Sequence, residues 1–227
     1  MLNKRLACIA ACVPKNSRVV DVGCDHAYLA IELIDRGIAC TVVASDIVAG
    51  PIAAARKNIQ NRALQDKIKL VQANGLQGVQ KDEVDCVIIA GMGAGVIIDI
   101  LEAGQDVIEE CNILVLQPMV GIELLRKWLA SHSWQIEQEY LIEENGIIYE
   151  ILVGKPASKA VELSLAECYL GKLEKQELFP RYLEQLIKKQ EKILAALDKA
   201  KCTEQIVQKR KKTARILQIL REAYDES

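Results

Sequence analysis

Short runs rich in Val and Ile recur through the first 155 residues, separated by longer segments whose apolar positions follow the helical period. Such runs read as strands buried on both faces, and alternating them with helices leads to parallel pairing through helical crossovers. Strands are expected at 18–23, 40–46, 68–74, 84–91, 113–116, 136–142 and 147–153. Helices are expected at 26–36, from Pro51 to Leu64, at 94–101 and at 123–130. Asn145-Gly146, between the last two strand-like runs, marks an antiparallel hairpin. The predicted fold class is therefore α/β, a doubly wound sheet whose parallel order is broken by a hairpin at one edge. In such sheets ligands sit beyond the carboxyl ends of the strands, where the strand order reverses. Functional residues should then stand just after Gly23, Asp46, Asn74, Gly91 and Pro118.

Residues 156–227 differ in kind. Leu163 to Leu178 reads as a helical connector, and from Arg181 apolar positions fall at spacings of three and four. They are Leu183, Leu186, Gln190, Ile193, Leu197 and Ala200 in one arm, and Ile206, Arg210, Thr213, Leu217, Leu220 and Tyr224 in the other. Thr203 is placed to cap the second arm. Two arms of about 19 residues, roughly 28 Å each, predict an antiparallel coiled-coil hairpin. Charge divides at the same place. The overall charge of -2 conceals 14 Lys/Arg against 20 Asp/Glu in 1–155, and 15 against 11 in 156–227. Two domains are expected, 1–155 and 156–227, the second being the place for a polyanionic partner.

A composition of 51% hydrophobic and 26% charged residues is globular and excludes wholesale disorder. The eight cysteines never form a CxxC pair and lie mostly in apolar runs, and there are only two histidines. Free thiols in a reducing compartment are expected, and no metal site. No 18-residue apolar stretch spans a bilayer, and the apolar run before Pro14 is too short for a signal peptide. A soluble, cytoplasmic protein with no membrane partner is expected.

After the first strand the chain reads Asp21-Val22-Gly23-Cys24-Asp25-His26-Ala27-Tyr28. A dinucleotide site would want GxGxxG here, yet only Gly23 is present, and Asp25 stands where a phosphate would lie. An anion at that place suits a cationic ligand, and S-adenosylmethionine carries an ammonium and a sulfonium. Bracing of the turn and capping of a helix is the other reading of Asp21 and Asp25. Asp46, ending the second strand, can accept both hydroxyls of an unphosphorylated ribose. Asn74 can bond an adenine edge while Gly75 admits backbone, or the pair is a simple turn. Gly91-Met92-Gly93 offers no acid, amide or aromatic. It suits close approach of cofactor and a flat substrate, with Met92 a soft wall, and a nucleophile that already owns a lone pair.

These residues, with VDVGCDHAYL (20–29), SDIVAGP with Ala55 and Asn58, NGL (74–76), IAGMG (89–93), LQP followed by LRKWL, and YEILVG (149–154), resemble the bacterial tRNA adenine-N1 methyltransferases of the TrmK type. The resemblance implies a class I S-adenosylmethionine-dependent, Rossmann-like fold with a C-terminal coiled coil, and methylation of adenosine 22 of tRNA. It implies cofactor contacts from Asp21, Gly23, Cys24, Asp25, His26, Asp46, Ile47, Asn74, Gly75, Gly91, Met92 and Gly93. Base positioning would fall to His26, Tyr28 and Asn58. Cys24, Ala30, Ala94 and Met119 depart from the family's usual residues, the last two at the expected substrate mouth.

Adenine N1 has an in-plane lone pair, so catalysis of the implied reaction is mainly alignment and exclusion of water. N1 lies on the Watson–Crick edge, so the base must leave its stack, and the tRNA contacts must supply that cost. His26 is expected at a helix N-terminus, where a neutral ring is favoured, and either bonds ligand or ties the turn together. Tyr28 faces the substrate or packs in the core. The basic residues Lys209, Lys211, Lys212 and Arg215 of one arm, with Lys188, Lys192 and Lys199 of the other, are candidate tRNA-backbone contacts or a solvated helical exterior. A monomer is expected, with the hairpin the surface by which two chains would pair. Two other functions fit less of the sequence: a non-catalytic RNA-binding or assembly protein that keeps a cofactor-shaped pocket, and a small-molecule methyltransferase.

Overall fold

A computed structural model describes residues 2–227. The chain divides into two compact units, Met1–Val161 and Glu162–Ser227. The first unit opens with helix α1 (Lys4–Ala11), strand β1 (Ser17–Val22), α2 (Tyr28–Asp35), β2 (Ala39–Asp46), α3 (Ala49–Asn61) and β3 (Ile68–Gln72). It continues with β4 (Cys86–Gly93), α4 (Ala94–Ala103), α5 (Gln105–Ile108), β5 (Ile113–Val120), α6 (Ile122–Ser131), β6 (Trp134–Glu144) and β7 (Ile147–Pro156). The second unit holds α7 (Leu165–Leu170), α8 (Phe179–Lys199) and α9 (Glu204–Asp225).

The strands form one sheet in the order β3-β2-β1-β4-β5-β7-β6. β1 to β5 pair in parallel, and β7 runs antiparallel to both β5 and β6. The order reverses between β1 and β4, so their carboxyl ends flank the crevice that such sheets use for ligands. The Val and Ile runs are continuous because both faces are covered. On one face Val19, Val42, Ile88 and Val115 meet Ile9, Leu33, Ala55 and Ile59 of α1 to α3. On the other, Val20, Val87, Ile89 and Leu116 meet Ile97, Leu101, Leu125 and Leu129 of α4 and α6. Asn145 and Gly146 both take positive φ, 51° and 79°, which two-residue hairpin turns between right-twisted strands require.

Several elements depart from the sequence expectation. Helix α1 lies in an apolar run without clear period, and Asn3 caps it by accepting the Leu6 N–H at 2.9 Å. Helix α2 begins at Tyr28 rather than 26, because Asp25 and Ala27 take positive φ of 50° and 58° and break the helical path. Helix α3 begins two residues before Pro51, which sits in the first turn, where its missing N–H costs nothing. Strand β5 runs on to Val120 through Pro118, after its ladder to β7 has ended at Leu116. Ala157 and Val161 still bond the backbone of the first unit, at Ser133 and Ala130. The thiols are all free, but Cys40 and Cys202 are exposed and Cys8 and Cys12 half-buried.

In the second unit the connector is helical only over α7, closed by a Ser164–Glu167 capping box. Helices α8 and α9 run antiparallel, as Tyr224–Glu184, Arg221–Glu191 and Arg210–Asp198 pair at a nearly constant sum of residue numbers. Thr203 caps α9 by accepting the Ile206 N–H at 3.3 Å. The seam is closed near the open ends of the arms, at Leu183, Gln190, Thr213, Leu217 and Leu220. It loosens toward the connecting turn. Ile193 is exposed and Arg210 turns outward to Asp198, so the regular spacing does not bury every expected position.

Candidate active site

The turn after β1 crosses over the end of β2. Gly23 and Cys24 donate their N–H groups to the Ser45 carbonyl at 2.8 and 2.9 Å, which holds Gly23 in a left-handed conformation, φ 73°. That positive φ is what favours glycine here; a Cβ would also meet the tip of the Met92 side chain, which would have to shift. Asp46 accepts from the Asp25 N–H at 3.2 Å through Oδ2 and from the Val48 N–H at 2.9 Å through Oδ1. A carboxylate has about four acceptor positions, so two remain for the paired hydroxyls of a ribose. Ile47 beside it is exposed and apolar.

Asp21 is buried, and its Oδ2 has no hydrogen-bond partner. Burial first, and the nearby Asp46 charge second, push its carboxyl up to about 7. A buried carboxyl in that state lacks a cation, and an organic ammonium supplies one. Burial, with Asp21 and Asp46 behind it, also pushes the Cys24 thiol up to about 12, which leaves it an unreactive wall. The orphaned oxygen, the open acceptor positions of Asp46 and the glycine turn together fit a cationic, ribose-bearing cofactor.

Asn74 and Gly75 line a cleft of about 180 Å³ with Leu76, Val96 and Asp99. The Gly75 carbonyl accepts from the Ser45 hydroxyl at 3.1 Å, tying this loop to the end of β2. Gly91, at φ 78°, and Gly93 close β4, and Met92 pairs across to Pro118 of β5. Three elements outside this motif bring polar and aromatic groups to it. Gln117 is fully buried, and its Oε1 accepts from the Gly91 N–H at 3.2 Å and from Arg5 Nη1 of α1 at 2.5 Å. Its Nε2 donates to the Pro118 carbonyl at 2.9 Å, and the Arg5 guanidinium lies 5.5 Å from the Tyr149 ring centroid. The amide, cation and aromatic absent from Gly91-Met92-Gly93 therefore arrive from β5, α1 and β7. The LQP and YEILVG segments carry a hint of two of them; Arg5 has no local signal, because its helix is not legible in the sequence.

His26 lies before α2, in the left-handed turn and not on the helix N-terminus. Its carbonyl accepts from Asn58 Nδ2 at 3.0 Å, its Nε2 is 3.4 Å from Asp25 Oδ1, and its ring stacks on Tyr28 at 5.6 Å. Tyr28 is exposed, not core. His26, Tyr28 and Asn58 are thus one linked group beside the cofactor turn. In the second unit Lys188, Lys192, Lys199, Lys209, Lys211, Lys212 and Arg215 are all exposed, Lys188 pairing with Glu184 and Arg215 bonding Gln218. Among the described residues no group of His, Cys, Asp or Glu is arranged to hold a metal, and no helix is long and apolar enough to cross a membrane.

This sheet order, with carboxylates ending β1 and β2 and glycines ending β4, is the class I methyltransferase architecture, and residues 2–152 match the methyltransferase domain family model. The chain is 32% identical over 99% of its length to the tRNA (adenine(22)-N(1))-methyltransferase of Bacillus subtilis, covering 97% of that protein. A Streptococcus pneumoniae protein solved in complex with S-adenosyl-L-methionine superposes with a TM-score of 0.85 at 35% identity, covering 99% of this chain and 100% of that one. The Mycoplasma capricolum protein TrmK, solved with S-adenosyl-homocysteine, gives 0.80 at 26%, covering 97% and 99%. The chain belongs to the methyltransferase-domain family and, within it, to the tRNA (adenine(22)-N(1))-methyltransferases.

The raised carboxyl of Asp21 has a definite sign. A group that holds its proton more tightly folded than unfolded stabilises the fold at low pH. That contribution is lost as pH rises from the ordinary aspartate value of 3.8 through about 7. A bound ammonium favours the ionised form, so affinity for S-adenosylmethionine should tighten as pH rises toward about 7 and level off above it. Calorimetric titrations across this range should show the trend in the wild type, and weaker, flatter binding in Asp21→Asn.

Proposed function

We propose that this chain transfers a methyl group from S-adenosylmethionine to N1 of adenosine 22 of tRNA, acting as a monomer in the cytoplasm. The observation that carries the reading is the match to the Bacillus subtilis enzyme along the whole chain, helical unit included. A small-molecule methyltransferase would leave that unit without use, and a non-catalytic protein that keeps a cofactor-shaped pocket would bind the cofactor without transferring its methyl.

When bound, S-adenosylmethionine supplies an electrophilic methyl on a sulfonium. Asp21 and Asp25 lie at the turn that would face its cationic end. Asp46 would take the ribose hydroxyls, with Ile47 and Asn74-Gly75 bordering the adenine. Cys24 and Met92 wall the turn, and Gly91 and Gly93 let the flat target base approach the backbone. Gln117 holds the Gly91 amide and the Pro118 carbonyl in register, and Arg5 fixes Gln117 from outside. His26 positions the base from the far side of the turn, held there by Tyr28 stacked on its ring and by Asn58 bonded to its carbonyl. Because adenine N1 carries its own lone pair, none of these groups has to remove a proton from it. We assign these roles to 1–155 and a phosphate grip to the basic residues of 156–227.

Incubation of the full chain with unmodified tRNA and labelled cofactor, followed by digestion and mass spectrometry, should yield 1-methyladenosine at one position. Cofactor binding without transfer to any tRNA would overturn the reading. Replacing Lys209, Lys211, Lys212 and Arg215 by Ala should raise the KM for tRNA. It should also reduce the slope of log affinity against log salt by about 0.7 to 0.9 for each phosphate no longer neutralised, with cofactor affinity unchanged. Arg5→Ala should lower kcat about tenfold or more, the effect of losing a charge-assisted hydrogen bond, while cofactor Kd stays within about twofold.

A further inference from the structure

A cavity of about 350 Å³ opens beside α2 and α3, lined by Tyr28, Ile31 and Glu32 of the first helix, Asn58 and Asn61 of the second, Arg62 just past its end, and Leu2. That volume falls in the range of small-ligand sites, about 300–1,000 Å³. None of its lining comes from the ends of β1, β2 or β4, so a ligand here lies outside the methyl-transfer crevice. Its chemistry is that of a base reader. Tyr28 is the most exposed aromatic ring of the described residues, at 57%, and its stacking on His26 fixes the ring plane. Asn58 spends one N–H on the His26 carbonyl and keeps its second N–H and its oxygen. Exposed Asn61 adds a whole amide and Glu32 an acceptor, while Arg62 is drawn to Asp35. An aromatic face with amides at its rim suits a nucleobase, whose π-face stacks and whose edge both donates and accepts.

We propose that this cavity holds a second nucleobase of the RNA substrate, distinct from the methylated one, stacked on Tyr28 and edged by Asn58 and Asn61. The inference rests on the tRNA reading above. It gives the Tyr28-His26-Asn58 linkage a purpose, since a base seated here presses on the turn that carries Asp25. Recognition of the target then includes the nucleotide beside it, and filling the cavity orders the turn.

The test uses the full chain, tRNA transcripts carrying 2-aminopurine at single positions around the methylated nucleotide, and the variants Tyr28→Phe, Tyr28→Ala and Asn61→Trp. Asn61 is exposed near the end of α3, so its replacement by Trp fills the cavity without entering the core. One position other than the target should be quenched on binding to the wild type and to Tyr28→Phe, but not to Tyr28→Ala. Asn61→Trp should raise the KM for tRNA at least about fivefold, the lower end of what one base stack contributes, with cofactor Kd within about twofold. A wild type that methylates tRNA, with no Tyr28-dependent quenching outside the target and an unchanged KM in Asn61→Trp, overturns the subsite alone. A wild type that methylates no tRNA overturns the tRNA reading and the subsite with it.

Discussion

Two carboxylates end neighbouring parallel strands, and the rest of the site is arranged around their charge. The register of β1 on β2 sets Asp21 opposite Ala44 and Val22 opposite Ser45, which brings Asp46 to the turn that follows β1. In water two such groups would scarcely notice each other; because Asp21 is buried, the nearby Asp46 charge adds to the cost of ionising it. Backbone N–H groups satisfy part of Asp46, and nothing among the described residues satisfies Asp21 Oδ2. The protein groups by themselves leave this carboxyl without a partner, which a cationic cofactor would supply. The site also disfavours ligands that bring a pyrophosphate to the same turn.

The substrate mouth follows a different logic. On the proposed reading the glycines admit the base, and a hydrogen-bonded chain from Arg5 of α1 through Gln117 of β5 to Gly91 of β4 and Pro118 holds their surroundings. Neither a guanidinium nor an amide takes up a proton near neutral pH. Such a mouth is poorly suited to a nucleophile that must first be deprotonated and well suited to a ring nitrogen with a free lone pair. Alignment, with water excluded, is what remains for the protein to supply.

Much of this is legible in the sequence for a physical reason. Strands buried on both faces must be continuously apolar, and the residue that ends such a strand at the switch point must face the crevice, so Asp46 and Gly91 can be placed by counting. Asn145-Gly146 announces its hairpin because few other pairs accept positive φ twice. Arg5 is not legible. Its function depends on long-range packing of α1 against the sheet, 112 residues away in sequence from Gln117. His26 falls outside the helix that the spacing predicts because Asp25 and Ala27 take positive φ, in a turn that Ser45 and Asp46 hold by long-range bonds to Gly23, Cys24 and Asp25. In the helical arms, spacing marks the buried seam near the open ends, but it does not show that Arg210 leaves the seam for Asp198.

The central claim is that the carboxylates near the crevice serve the cofactor and that no protein group activates the base. It is tested most directly by the single-turnover rate of methyl transfer to tRNA, at saturating cofactor, between about pH 6 and 9. A nucleophile with its own lone pair predicts a rate constant flat to within about twofold across that range. A rise of about tenfold per pH unit would mean that a proton must leave before transfer, and would contradict it.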